Sequence, residues 1–251
     1  MSDTPIDVFI DLPSFPGPVQ AGRLWSHFRK GRESASFEYN KEWLANPHRF
    51  ALEPLLPLAD GTFHTNPGQS VFGAIGDSTP DRWGRILMRR AELARARTAN
   101  ESPHTLSELD YLLRVNDEAR QGALRFSQDG GQSFCAPPGS TPIPPLVNLS
   151  RLLHAADHFC RDDENAEDLR LLLAPGSSLG GARPKASVKD KKGNLCIAKF
   201  PRYDDEYNVV AWEAVALTLA SKAGLQVPRF ELEKITDKDV LIVWRFDRTR
   251  E

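Results

Sequence analysis

Gly176-Ser-Ser-Leu-Gly-Gly-Ala-Arg-Pro-Lys-Ala-Ser-Val188, followed by Asn194-Leu-Cys-Ile-Ala-Lys-Phe-Pro201, is the stretch on which the reading of this chain turns. It is a loop of small residues between two apolar segments, then a compact strand with one lysine inside it. Glycine has no Cβ and reaches positive φ freely, so backbone amides in such a loop approach phosphate oxygens closely. A plain flexible turn has the same composition, and the loop alone does not decide between the two.

The order of the parts carries more weight. Protein kinases place a glycine-rich phosphate loop ahead of a strand whose lysine meets the nucleotide phosphates, and a following helix supplies a glutamate that holds this lysine. Here Lys199 lies in Cys-Ile-Ala-Lys-Phe. The stretch from Asp204 to Gly224 has a helical pattern, with acidic residues at its start, Glu213 inside it and a glycine at its end. An interior helical glutamate and a strand lysine are each solvated by default; in this order they are expected to pair. Strands at 229–232 and from Val240, joined by a turn at 236–239, then complete a small antiparallel sheet.

Working outward, Ile6–Ile10 begins a strand pattern, Gln20–Trp25 reads as its hairpin partner, and Ala35–Tyr39 as a third strand. Asn40 precedes a brief helical turn, and the apolar run 51–58 is broken by Pro54 and Pro57. Capping residues and Pro80 introduce a helix over about 80–96; Ser107–Leu113 reads as a shorter helix and Gly122–Ser127 as a strand. Residues 133–145 are rich in Pro, Gly, Ser and Thr. A helix capped by Asn148 or Ser150 runs through Phe159, ahead of an apolar run at Leu169–Leu173. The expected fold class is α+β, with a β-rich subdomain over 1–132, a linker over 133–147 and a kinase-like small lobe over 148–251 that stops at the hinge.

Ser178-Leu-Gly-Gly-Ala-Arg-Pro-Lys185, Ile197-Ala-Lys-Phe-Pro201, the Asn208–Gly224 helix and Trp244-Arg-Phe-Asp-Arg248 resemble successive signatures of the HipA family of serine/threonine kinase toxins. Phe37-Glu-Tyr-Asn40, Leu55-Leu-Pro-Leu58, Gly76-Asp-Ser-Thr-Pro-Asp-Arg-Trp-Gly-Arg85 and Asp117-Glu-Ala-Arg-Gln-Gly-Ala-Leu-Arg-Phe126 are similar to that family's N-terminal subdomain. The resemblance implies ATP as nucleotide, with its phosphates met by Lys199 and by backbone amides around Gly180, Gly181 and Ala182. It further implies Lys185 as a loop anchor, Glu213 as the partner of Lys199, and autophosphorylation at Ser178, with Ser177 the adjacent alternative. A phosphate there adds roughly two negative charges where the nucleotide's own phosphates belong. The implied setting is a bacterial cytoplasm and a type II toxin–antitoxin system. Its partner is a helix-turn-helix antitoxin of HipB type, which makes any DNA contact, and its substrate is an aminoacyl-tRNA synthetase.

Phosphoryl transfer also needs a carboxylate to orient the attacking hydroxyl and Asp/Asn groups to hold Mg. After Lys199 the aspartates are Asp204, Asp205, Asp237, Asp239 and Asp247, and none stands in a His-Arg-Asp or Asp-Phe-Gly setting. No catalytic residue is therefore assigned, and the Mg ligands are expected in a large lobe beyond these residues. The polypeptide alone is expected to be inactive. A fragment of an active kinase, one half of a split kinase and a non-catalytic regulator all remain open, as does an interaction protein whose glycine loop is only a turn.

With 32 Lys and Arg against 34 Asp and Glu, the formal net charge of -2 supplies no cationic field for nucleic acid. Cys135, Cys160 and Cys196 are odd in number and widely spaced, so a disulfide framework is not expected. Neither a leader pattern nor an apolar run of membrane-spanning length is found. His154 and His158 stand one helical turn apart without further ligands, and Arg82, Arg85, Arg89, Arg90, Arg95 and Arg97 form a local basic stripe.

Overall fold

A computed structural model describes residues 5–135, 143–176 and 180–248. Its contacts divide the chain into two compact units, Met1–Pro80 with Thr105–Pro138, and Asp81–His104 with Gly139–Glu251. Both set helices beside an antiparallel sheet, the α+β arrangement expected.

The first unit contains strands β1 (Ile6–Ile10), β2 (Val19–Arg29), β3 (Arg32–Tyr39), β4 (Thr62–His64) and β5 (Leu124–Ser127), in the order β4-β3-β2-β1-β5. Every residue of β1 is buried, as a strand flanked by two others and covered on its faces must be. Gly22 in β2 is demanded by packing: a Cβ there would lie 2.2 Å from the Glu38 carbonyl oxygen and 2.5 Å from the Phe37 ring. Helices α1 (Lys41–Ala45) and α2 (Gly73–Gly76) also belong here, as does α4 (Glu108–Leu113), which follows α3 (Arg82–Ala99) in the chain. Asn40 caps α1 by accepting from the Glu42 amide at 3.1 Å, and Ser107 and Asp110 form a capping box on α4. The proline-broken run 51–58 is fixed by Tyr39, whose hydroxyl donates to the Leu56 carbonyl at 2.7 Å and accepts from the Leu52 amide at 3.0 Å.

The second unit holds a sheet of β6 (Lys185–Lys189), β7 (Leu195–Lys199), β8 (Phe230–Ile235) and β9 (Lys238–Trp244), in the order β6-β7-β9-β8. Side chains alternate across such strands. One face presents Ala186, Val188, Cys196, Ala198, Val240 and Ile242 to a core shared with α3, α5 (Leu149–Cys160) and α6 (Ala166–Gly176). The other face carries Leu241 and Val243 against α7 (Val209–Lys222), which contributes Val210 and Ala214.

Three expectations are corrected. The helix expected over 80–96 runs from Arg82 to Ala99, closed by Asn100 at φ 54°, and it packs in the second unit through Trp83 and Leu87. An amphipathic pattern shows that one face is buried but not what buries it. Residues 185–189, read as loop, form β6. The expected linker is ordered at both ends: Phe134 meets Phe9 edge-on with centroids 5.4 Å apart, and Pro145 bridges Lys189 beside the second sheet. Residues 136–142 lie outside those described.

Leu87 is fully buried among Trp83, Leu152, Ala198 and Phe200 in the second core. Leu87→Ala is expected to destabilise that unit by about 2–5 kcal/mol. Hydrogen exchange resolved by peptide checks the outcome: protection falls across β6, β7 and β9 while β1–β3 keep theirs.

Candidate functional site

The site starts from strand register. β6 and β7 are antiparallel with Lys185 directly opposite Lys199, and Ala186, the next residue, faces the opposite side into the core. Residues so paired have Cβ atoms about 4.5–5.5 Å apart, and like charges directly opposite repel. Two ammonium groups are thereby forced onto the α7 side of the sheet.

Each has been given a partner. Lys199 Nζ pairs with Glu213 Oε1, which α7 projects from its second turn. The Lys199 and Glu213 side chains are 29% and 39% exposed, so this is a water-accessible pair rather than a core one. Lys185 folds back beneath the glycine turn and donates to the Gly180 carbonyl oxygen. Burial and the neighbouring Lys199 charge together lower the Lys185 pKa to about 8, leaving a substantial neutral fraction near that pH.

Gly181 turns with φ +78°, and a Cβ on it would stand 3.0 Å from Lys185 Nζ. The turn thus needs a glycine for its backbone angle, while a Cβ would only press the flexible end of the lysine aside. Arg183, two residues on, pairs with Asp205, which also accepts from the Arg202 amide at 2.9 Å. The acidic stretch at 204–206 therefore anchors the loop from ahead of α7 instead of charging its first turn; that helix is capped by Asn208, accepting from the Ala211 amide at 3.0 Å.

Gly181, Ala182, Arg183, Lys185, Lys199, Phe200, Val209 and Glu213 line one cleft of about 200 Å³. Five of the residues singled out from the sequence are thus brought together, namely Gly181, Ala182, Lys185, Lys199 and Glu213. Gly180 joins them through its carbonyl bond to Lys185. Ser178 and Ser177 lie outside the described residues. Such a cleft, with three cationic side chains, one carboxylate and a positive-φ turn, has the chemistry to receive an anion.

Sequence reasoning missed two contributors. The Asp81 carboxylate accepts from the Gly181 amide at 2.8 Å, and the Trp83 indole donates to the Lys185 carbonyl at 2.9 Å. Both precede the loop by about a hundred residues, and an aspartate ahead of a helix reads as an ordinary cap. One amide expected to face phosphate is accordingly engaged elsewhere.

Two arginines of the basic stripe and the histidine pair are engaged internally. Arg90 pairs with Asp162 and Glu164 and lies 4.2 Å from the Phe159 ring centroid, while Arg95 pairs with Glu92 and Glu101. The His154 and His158 rings lie with centroids 4.0 Å apart, tilted by 57°, and His158 Nδ1 lies 3.0 Å from Asp168. Among the described residues no group of three or more His, Cys, Asp or Glu is disposed to hold a metal ion, and no helix is long and apolar enough to cross a membrane.

Comparison with curated proteins gives no match. Residues 17–127 match the family description "HipA N-terminal domain", and residues 177–251 match "HipA-like C-terminal domain". Among solved structures, the chain is similar to one of the Shewanella oneidensis MR-1 toxin–antitoxin system, HipA and HipB with operator DNA. The likeness has a TM-score of 0.50 and 18% identity over 98% of this chain and 51% of that one. The chain spans about half the length of that solved relative, and at this identity the likeness is one of fold. With both domain descriptions matched in order along it, the chain belongs to the HipA family.

Proposed function

We propose that the second unit is the phosphate-binding half of a HipA-type serine/threonine kinase site, taking the triphosphate of ATP between Lys185 and Lys199. The observation that carries this reading is the pair of ammonium groups set opposite each other beside a glycine turn in one cleft. Charge-assisted contacts from two lysines and backbone amides suit a polyphosphate. The cleft, at about 200 Å³, is smaller than the roughly 300–1,000 Å³ of complete small-molecule sites. That supports a site which holds phosphates and leaves the rest of the nucleotide to other surfaces.

Binding is what these residues offer. No aspartate stands in a catalytic-loop or Asp-Phe-Gly setting anywhere in the 251 residues. The 251-residue polypeptide is therefore read as binding ATP without transferring its phosphate. Family resemblance supports Ser178 as an autophosphorylation site whose added charge opposes nucleotide binding. The Shewanella relative, solved with HipB and operator DNA, supports a helix-turn-helix antitoxin of HipB type as partner, with DNA reached through it. An aminoacyl-tRNA synthetase as substrate rests on resemblance alone.

A second reading, completion of the site by a further protein surface, is favoured by α7. Its residues are apolar almost throughout, yet only Val210 and Ala214 are buried, and Trp212 and Leu219 are 62% and 60% exposed. Surfaces of this kind on a soluble unit mark contacts with other protein.

Two measurements test the nucleotide reading. ATP is expected to raise the melting temperature of the wild type, and Lys199→Met to abolish that rise while changing unliganded stability by no more than about 1 kcal/mol, as an exposed ion pair should. An ATP-induced shift that survives the substitution contradicts the assignment. In competitive acylation at pH 8 read by mass spectrometry, Lys185 should label ahead of the other lysines, because its pKa of about 8 leaves it partly neutral. Saturating ATP should suppress that labelling; equal labelling with and without ATP counts against phosphate contact.

A further inference from the structure

The glycine turn is fastened at a place unconnected with its own strand. Asp81 is the N-cap residue of α3, an 18-residue helix, yet its side chain makes no capping bond within that helix. A cap aspartate ordinarily accepts from an amide two or three residues ahead, worth about 1 kcal/mol. Here the carboxylate is aimed instead at the Gly181 amide, 2.8 Å away, and the Gly181 carbonyl in return accepts from the Trp83 amide at 3.0 Å. The peptide of Gly181 thus does for α3 what a capping box does within one helix, with the two halves of the exchange a hundred residues apart. A third bond, from the Trp83 indole to the Lys185 carbonyl at 2.9 Å, fixes the start of β6 beside it. Trp83 is itself held, buried 5.1 Å from the Phe159 ring, so the anchoring side is rigid.

Among the described residues, the other tie on the loop is the Arg183–Asp205 pair two residues on, which leaves Gly181 itself to the α3 contacts. Gly181 and Ala182 are exposed, Gly181 is in the left-handed region, and the Lys185 ammonium bonds to the turn rather than to a rigid element. Asp81 is not among the residues lining the cleft, so its carboxylate grips the turn from outside the anion's space.

We propose that Asp81 and Trp83 are positioning residues for the phosphate site: they latch the Gly181 peptide onto the N-terminus of α3, so that Lys185 and Lys199 converge on a cradle already shaped. This rests on the nucleotide reading above for its consequence, though not for the latch itself. A turn that is correctly placed only part of the time loses affinity in proportion to that fraction.

The test compares Asp81→Ala with Asp81→Asn in the full chain, using ATP and inorganic triphosphate as probes. Asp81→Ala is expected to weaken both ligands about tenfold, the effect of losing a charge-assisted bond. Asp81→Asn keeps an acceptor oxygen and removes a negative charge near the phosphates, so affinity stays at or above the wild-type value. Hydrogen exchange at the Gly181 and Trp83 amides should quicken in the alanine variant and not in the asparagine one. Trp83→Phe, which removes the indole donor alone, should weaken both probes less than Asp81→Ala does. An Asp81→Ala variant that binds either probe as tightly as the wild type, or more tightly, overturns the proposal by making Asp81 a bystander or a competitor. If the wild type binds neither probe, the nucleotide reading fails by itself, and exchange decides the latch: unchanged rates at Gly181 and Trp83 in Asp81→Ala sink it.

Discussion

Two positive charges placed directly opposite on neighbouring antiparallel strands repel, and the second unit is arranged around that constraint. The register that sends Ala186 and Ala198 into the core has no freedom to send Lys185 and Lys199 anywhere but the other face. A one-residue slip of either strand would relieve the repulsion but turn that strand's lysine into the core, a far greater penalty. The repulsion is met instead with a carbonyl for Lys185, a carboxylate for Lys199 and a lowered proton affinity at Lys185.

The two sheet faces thereby divide the labour. Large buried side chains from α3, α5 and α6 gather on one side, where Trp83, Leu87, Leu152 and Phe159 secure the fold. The α7 side has only a small cluster about Val210, Ala214 and Leu241, and its open end is the cleft. Charged groups in the cleft contribute little to folding because water reaches them. Their chemistry can change without endangering the sheet. α3 is the exception, since it serves both faces: its apolar side fills the core, and its first residues hold the glycine turn.

Much of this was legible in the sequence, for identifiable reasons. The strand carrying Lys199, the helix carrying Glu213 and the glycine turn are consecutive, so local pattern and order suffice to place them. The strand pattern of β1 and the cap at Asn40 are equally local. What escaped was long-range. Lys185 read as loop because Pro184 and the small residues before it mask a strand of five residues, and only its pairing with β7 reveals it. Asp81 read as a cap because nothing near it in the chain announces the Gly181 amide. The packing partners of α3 were not legible because periodicity gives a buried face without naming its neighbour.

The Lys199–Glu213 pair shows how a weak contact serves a binding site. Both side chains are partly exposed, so the pair contributes about 1 kcal/mol at most. A strong, buried pair would lock the lysine and have to be broken before any phosphate could approach, at a penalty of several kcal/mol. A loose one keeps the ammonium extended across the sheet and turned toward the cleft, sparing an incoming anion the cost of ordering a long side chain. The same reasoning covers Lys185, restrained by one carbonyl, its proton affinity lowered by burial and then by its neighbour Lys199. An anion arriving between the two ammonium groups reverses the sign of the local field for both. In the proposed reading, such an anion favours the protonated form of Lys185.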